Sequence, residues 1–246
     1  MQTYVSRLRR VLDPDRLPRD PRGLLVSSGT SYRLRPAGEQ LDLLAFGQLA
    51  SGGSDRTVRI WDPQTGRQRT ILEGHQGRVY TLCPVTVTGQ ELLASASGDG
   101  TVRIWDPPTG GQRAVLACHL DGATGVCPVT AAGQELLASA DGCGTVRIWD
   151  PRTGQQRGTF KGPLVGVNSM CPVIMAGRAL LASVDDDGTV RVWNPRTGAC
   201  LLTVPTRYPP QAVTWVAESL AIGLGAGILV IRPDVSVLGH DRPSGS

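Results

Sequence analysis

This chain of 246 residues is poor in long apolar runs. No stretch approaches the roughly 20 apolar residues that cross a bilayer, and the N-terminus MQTYVSRLRRVLDPDR has charges where a secretion signal needs an apolar core. These absences predict a cytoplasmic protein with no membrane partner. No C-x-x-C pair occurs among the six cysteines. Cys83, Cys127 and Cys171 are one position copied at a fixed interval, while Cys118, Cys143 and Cys200 are scattered. That pattern predicts reduced, mostly buried thiols rather than disulfides or metal ligands. Only three histidines are present, His75, His119 and His240, and there is no zincin, Walker or nucleophile-elbow motif. Without converging groups for catalysis, the expectation is a protein that is not an enzyme and holds no metal or cofactor.

One phrase is written four times. TVRIWDPQTG begins at Thr57, TVRIWDPPTG at Thr101, TVRIWDPRTG at Thr145 and TVRVWNPRTG at Thr189, each 44 residues after the last. LLAS at 92, 136 and 180, LAS at 49, and CPV at 83, 127 and 171 keep the same register. A period of this length marks a repeat in which one structural unit is copied along the chain. The 31 glycines and 18 prolines cut the chain at short intervals, as many short strands require.

The repeat from Gly74 to Arg113 reads as a four-stranded antiparallel meander. Its strand-like runs are VYTLCPV, ELLASAS, TVRIWD and QRAVLAC, separated by TVTGQ, GDG and PPTG, where Gly and Pro supply the turn geometry. Along TVRIWD, Val102, Ile104 and Asp106 point one way and Thr101, Arg103 and Trp105 the other. Both faces carry bulky apolar groups, so the sheet needs a neighbour on each, and the available neighbours are its own copies. Radial stacking of such sheets makes a β-propeller.

The Gly74-His75 pair, the turn residue Asp99 and the closing Trp105-Asp106, set in a 44-residue unit, resemble WD40 repeats over about residues 49 to 234. The resemblance implies a buried polar tetrad in each unit: His75, Ser95 (or Ser97), Asp99 and Trp105 in one. The next has His119, Ser139 and Trp149, with Cys143 at the turn Asp position and Asp141 two residues early. The following one has Ser183, Asp187 and Trp193, with Pro163 in place of His, and the first has Ser51, Asp55 and Trp61 without a His. Mostly incomplete tetrads predict blades of modest stability, because an unpaired buried polar group costs about 1–3 kcal/mol. The expected fold is mainly β, a propeller of four to five blades that forms an open arc, a small ring or part of a ring completed by another chain, with a short α+β winged-helix remnant before it. The resemblance also implies a protein-binding face, which maps onto Arg78, Tyr80, Thr124, Asn168 and Asp186. The acidic run Asp185 to Asp187 falls in a blade turn and is read as structural, and Gly223, Gly225 and Gly227 as a strand turn rather than a phosphate loop.

Residues 1–36 carry eight arginines against three aspartates, whereas the whole chain has a net charge of only +4. Within QTYVSRLRRVL, Val5, Leu8 and Leu12 stand at helical spacing, with Thr3, Ser6, Arg7 and Arg10 on the polar side. GLLVSSGTSYRLRP follows as a hairpin carrying Arg33 and Arg35. With LDLLAF at 41–46, this order resembles the end of the winged-helix domain in SARP-like bacterial transcriptional activators, beginning inside its recognition helix. The resemblance implies DNA-facing residues at Thr3, Ser6, Arg7 and Arg10 and phosphate contacts at Arg33 or Arg35. The expected plan is a partial winged helix over 1–38, a linker or activator-domain start over 39–48, WD40 repeats over 49–234 and a polar tail over 235–246. The leading functional expectation is a non-enzymatic protein-interaction scaffold in a bacterial regulatory setting. Its alternative is a DNA-binding regulator with a WD40 sensor, and unpaired sheet edges predict self-association.

Overall fold

The computed structural model describes the backbone at 25–28 and 31–34, and residues 49–233 apart from 63, 64, 66, 118, 132, 163–165, 217 and 226. The chain divides into two compact units, Met1–Gly47 and Gln48–Ser246. In the first, β1 (Leu25–Ser28) and β2 (Ser31–Leu34) pair antiparallel, with Leu25 opposite Leu34 and Val26 opposite Arg33. The expected helix with Thr3, Ser6, Arg7 and Arg10, together with Arg35, the 39–48 segment and the 235–246 tail, lies outside the described residues.

The second unit is a succession of five antiparallel sheets, here called blades. Blade 1 has β3 (Leu49–Gly52), β4 (Val58–Trp61) and β5 (Gln68–Leu72). Blade 2 has β6 (Val79–Val87), β7 (Gln90–Ser97), β8 (Thr101–Asp106) and β9 (Gly111–Ala117). Blade 3 has β10 (Ala123–Ala131), β11 (Gln134–Asp141), β12 (Thr145–Trp149) and β13 (Gln156–Lys161). Blade 4 has β14 (Val167–Met175), β15 (Arg178–Asp185), β16 (Thr189–Trp193) and β17 (Cys200–Pro205). Blade 5 has β18 (Pro210–Val216), β19 (Ser219–Leu224) and β20 (Gly227–Ile231). Gly223 and Gly227 thus belong to paired strands.

Each blade is a meander because its turns are short. Between β6 and β7 the turn is tighter than TVTGQ suggests: β6 runs on to Val87, and Thr88 (φ 50°) and Gly89 (φ 78°) alone make the reversal. Two consecutive positive φ values match the right-handed twist of the flanking strands. Ala176 and Gly177 repeat this geometry in blade 4.

The blades stack through faces of fixed composition. The face of blade 2 with Val79, Leu93 and Trp105 packs on Val58, Ile60 and Leu72 of blade 1. Its opposite face, with Cys83, Val85, Ala94, Val102 and Ile104, receives Val126, Leu137 and Trp149 of blade 3. The pattern recurs between blades 3 and 4, where Met170, Leu181 and Trp193 cover Cys127, Val129 and Ile148. Between blades 4 and 5, Val213, Leu220 and Ile222 cover Val173, Ala182 and Val192. Cys83, Cys127 and Cys171 are buried and free, and burial pushes the Cys171 thiol up to about 12. The innermost strands β3, β6, β10, β14 and β18 contact one another in that order, and among the described residues no comparable packing joins β18 back to β3. The blades form an open arc.

Gly100, Gly144 and Gly188 end the β-turns before β8, β12 and β16 with φ of 81°, 76° and 79°, whereas blade 1 has Arg56 there at 70°. A side chain in the left-handed region costs about 1 kcal/mol or more. Arg56→Gly is therefore expected to raise the stability measured by urea unfolding by about 1 kcal/mol. Gly100→Ala is expected to lower it by more than that, since its added Cβ would stand 2.1 Å from the His119 carbonyl oxygen. Equal midpoints for both variants and the parent would contradict the turn analysis.

Candidate functional site

The polar groups inside the blades hold the edge on which the candidate contact residues lie. In blade 2, Trp105 Nε1 donates to Ser95 Oγ at 2.8 Å, Ser95 Oγ meets His75 Nε2 at 2.7 Å, and His75 Nδ1 meets Asp99 Oδ2 at 2.9 Å. A neutral imidazole protonated on Nδ1 satisfies this chain, with the serine hydroxyl donating to Nε2; the tautomer is assigned from the network. Ser95 and not Ser97 is the member, since the Ser97 hydroxyl donates to the Gly77 carbonyl at 2.9 Å. Asp99 also accepts from the Gln76 amide at 2.8 Å and the Thr101 hydroxyl at 2.7 Å. Burial alone would raise its carboxyl, but the donors from Thr101, Gln76 and His75 outweigh that and hold it well below the usual range.

Blade 3 corrects the expectation of an incomplete set. Trp149 Nε1 donates to Ser139 Oγ at 2.8 Å, Ser139 Oγ meets His119 Nε2 at 2.8 Å, and His119 Nδ1 reaches Asp141 Oδ2 at 2.8 Å. Asp141, at the end of β11, turns in to do what Asp99 does from the turn, and it also accepts from the Cys143 and Thr145 amides at 3.0 and 2.8 Å. Cys143 itself is exposed.

Blades 1 and 4 use arginine where histidine is missing. In blade 4, Trp193 Nε1 donates to Ser183 Oγ at 3.0 Å, and the buried Arg191 donates to both Asp185 and Asp187, the latter at 2.6 Å. In blade 1, Trp61 donates to Ser51 at 2.8 Å and Arg59 pairs with Asp55 at 2.5 Å. Arg103, at the same register in blade 2, instead donates to Gln112. In blade 5 the polar set is gone. Ile222, Leu229 and Ile231 occupy the registers of Ser183, Arg191 and Trp193, which follows from the matching strand pairs. The acidic run at 185–187 is thus tied to Arg191 and, through Asp186, to Asn168 at 2.8 Å. Among the described residues no three His, Cys, Asp or Glu side chains stand together as a metal site.

The Asp that closes the repeated phrase has a separate task, which the sequence reading missed. Asp62 pairs with Arg69 at 2.9 Å, Asp106 with Arg113 at 2.6 Å and Asp150 with Arg157 at 2.7 Å, always seven residues on. Each pair crosses the turn between the last two strands of its blade. Blade 4 changes both members at once, to Asn194 and Leu201. The constant seven-residue spacing was a signal available in the sequence.

The candidate contact residues lie on one edge of the blades, where the inner strands begin and the Asp turns fall. Arg78 and Tyr80 are exposed, and the Arg78 guanidinium sits 5.6 Å from the Tyr80 ring centre. Thr124 is used otherwise: its hydroxyl donates to the Val167 carbonyl of the next blade at 2.9 Å. Asn168 likewise donates to the Pro210 carbonyl at 3.0 Å, and Thr81 to the Thr124 carbonyl at 2.9 Å. These groups tie blade to blade instead of facing outward. Asp186 is exposed. Two further residues share the edge without having been singled out from sequence: Leu120, fully exposed, and Tyr208, stacked 5.6 Å from Arg207. A Cβ at Gly98 would stand 3.3 Å from the Tyr80 ring and one at Gly122 3.2 Å from Gly98, so the Leu120–Gly122 loop runs beside Tyr80.

Comparison with known proteins agrees with this geometry. The WD40 family (WD domain, G-beta repeat) matches residues 39–62, 66–106, 110–150 and 154–194, more than half of the chain. The chain belongs to the WD40 family. Transcriptional repressor rco-1 of Neurospora crassa is 44% identical over 41 residues, 17% of this chain and 7% of that protein. Coronin-7 of Mus musculus is 54% identical over 39 residues, 16% of this chain and 4% of that protein. Topless-related protein 1 of Arabidopsis thaliana is 47% identical over 32 residues, 13% and 3% respectively. The chain therefore spans a small part of these relatives. Among solved structures, the WD40 beta propeller domain of Doa1 superposes with a TM-score of 0.65 at 19% identity, over 78% of this chain and 63% of that one, which is a likeness of fold. WD40 repeats point to a protein-interaction scaffold. No helix among the described residues is long and apolar enough to cross a membrane.

The tetrads give two predictions. Asp141→Ala takes the carboxylate from Nδ1 of the buried His119 and is expected to cost about 1–3 kcal/mol in urea unfolding, while Cys143→Ser changes stability by less than about 0.5 kcal/mol. Equal effects would reject the assignment of Asp141 to the tetrad. The second concerns pH. Burial holds His75 and His119 below the ordinary histidine value, so the unfolded chain binds more protons near and below pH 6.5 and their stabilisation is lost as pH falls through that range. Burial pushes Asp185 the other way, up to about 6 from 3.8 against the pull of Arg191, so the folded state gains protons there and stability rises as pH falls from above 6 toward 4. Asp185→Asn removes that opposing contribution. Its melting temperature is expected to drop more steeply between pH 7 and 5 than the parent's, and a shallower drop would contradict the account.

Proposed function

We propose that this WD40 chain is a non-enzymatic scaffold that binds a protein partner on the edge carrying Arg78, Tyr80 and Leu120. The observation that carries this reading is the exposure of an Arg–Tyr stack and a fully exposed Leu on neighbouring blades, over backbone pinned by tetrads and inter-blade hydrogen bonds. Tyr and Arg are the side chains that most often dominate interface energetics, and a pre-ordered surface loses little entropy on binding. Asp186 and Tyr208 extend the surface, while Thr124 and Asn168 support it from behind. A photo-crosslinking residue placed at Gln76 on the same edge should capture the partner. Tyr80→Ala combined with Leu120→Asp is then expected to weaken binding at least about 30-fold, corresponding to about 2 kcal/mol, with unchanged unfolding. Undiminished binding by that double variant would reject this face.

A second reading rests on the β1–β2 hairpin, which places Arg33 opposite Val26 in the arginine-rich segment. In this reading 1–38 is a partial winged helix joined by 39–48 to the repeats, and the chain is a DNA-binding regulator in a bacterial setting. The match to a protein named a transcriptional repressor is in keeping with it. Duplex affinity that falls steeply with salt and drops on Arg33→Ala supports it, and no duplex binding at 50 mM salt rejects it.

A further inference from the structure

Among the described residues the arc ends in two faces that no other blade covers, and both repeat the chemistry of the faces that mate inside it. At the far end, the strand pairs of blade 5 place Val216, Ala221, Ile228 and Val230 at the registers of Val173, Ala182, Val190 and Val192 in blade 4. In blade 4 those side chains are covered by blade 5 and at most 1% exposed, whereas Val216, Ile228 and Val230 are 37%, 42% and 52% exposed. At the near end, Leu49, Ser51 and Trp61 stand at the registers of Leu93, Ser95 and Trp105. Leu93 is 1% exposed because blade 1 covers it, but Leu49 is 46% exposed.

We infer that a second copy of this chain docks blade 1 onto the open face of blade 5, extending the blade-to-blade interface from one molecule into the next. The argument is continuity: four interfaces within the chain already join a Leu/Trp face, or its Leu220/Ile231 counterpart in blade 5, to a β-branched face. The two ends are the unmated halves of the same contact. Such a contact is heterologous, using different surfaces on the two partners. Two five-blade arcs carry ten blades, more than the four to eight of typical rings, so association runs head to tail.

Sedimentation equilibrium and light scattering on the full chain test this. The parent is expected to show an average mass that rises with concentration above the 26.1 kDa of one chain. Val230→Arg blocks one end and Leu49→Arg the other, and each variant alone is expected to remain a single chain with unchanged unfolding. Mixed in equal amounts they should form a species of two chains and no larger one, because each retains the face that the other has lost. If either arginine variant fails to fold, Ile228→Lys and Leu49→Glu take their places in the same mixing experiment. A parent at 26.1 kDa at every concentration overturns the inference and assigns the end faces to other residues of this chain or to another protein. Association that neither variant reduces, or a mixture of monomers alone, overturns it as well.

Discussion

A sheet that is apolar on both faces cannot stand in water, and the rest of this structure depends on that constraint. Blades 2, 3 and 4 offer Leu and Trp on one side and Cys and Val on the other, and satisfy both by lying between two neighbours. Burial of this kind is non-directional and sets only that blades stack. Register comes from the tight hairpins and from the strand-start bulges near Tyr80, Thr124 and Asn168, two of which hydrogen-bond into the next blade. Apolar packing and polar ties thus act at the same interface, one supplying the free energy and the other the alignment.

The buried polar columns show how much variation that interface tolerates. Two blades run Trp–Ser–His–Asp, with the carboxylate entering from a turn in one and a strand end in the other. Two pair an arginine directly with the turn carboxylates, Arg191 buried in blade 4 and Arg59 more exposed in blade 1. The fifth discards the polar groups for Ile222, Leu229 and Ile231. All three solutions obey one rule: a buried donor or acceptor is either paired or replaced by carbon. Three buried atoms among the described residues depart from that economy and have no partner: Arg103 Nε and one oxygen of Asp106 in blade 2, and one oxygen of Asp185 in blade 4.

The blades were legible in sequence because one strand phrase, copied four times with 44-residue spacing, carries both its alternation and its turn. The opposed directions of Ile104 and Trp105 follow from period-two geometry, and the two residues enter different clusters as that predicts. The Asp141 substitution was not legible: positions 141 and 143 are distinct in sequence, and only the folded strand end brings the Asp141 carboxylate to His119. Nor was the diversion of Thr124 and Asn168 into inter-blade bonds, which depends on neighbours 43 and 42 residues away. Leu120 escaped because exposure is a tertiary property, and the open arc because closure depends on packing between the first and last blades.

If stacking on both faces is what holds each blade, protection must follow position in the arc. Blades 2, 3 and 4 have two neighbours each, and blades 1 and 5 one, so local stability should fall toward the ends as in other nearest-neighbour repeat proteins. Native-state hydrogen exchange followed by mass spectrometry reads this directly at concentrations where the chain is monomeric. The account predicts that amides of β7, β11 and β15 exchange slowest, with β4 and β19 markedly faster. Equal protection of all five blades, or greatest protection in blade 1 or 5, would contradict it.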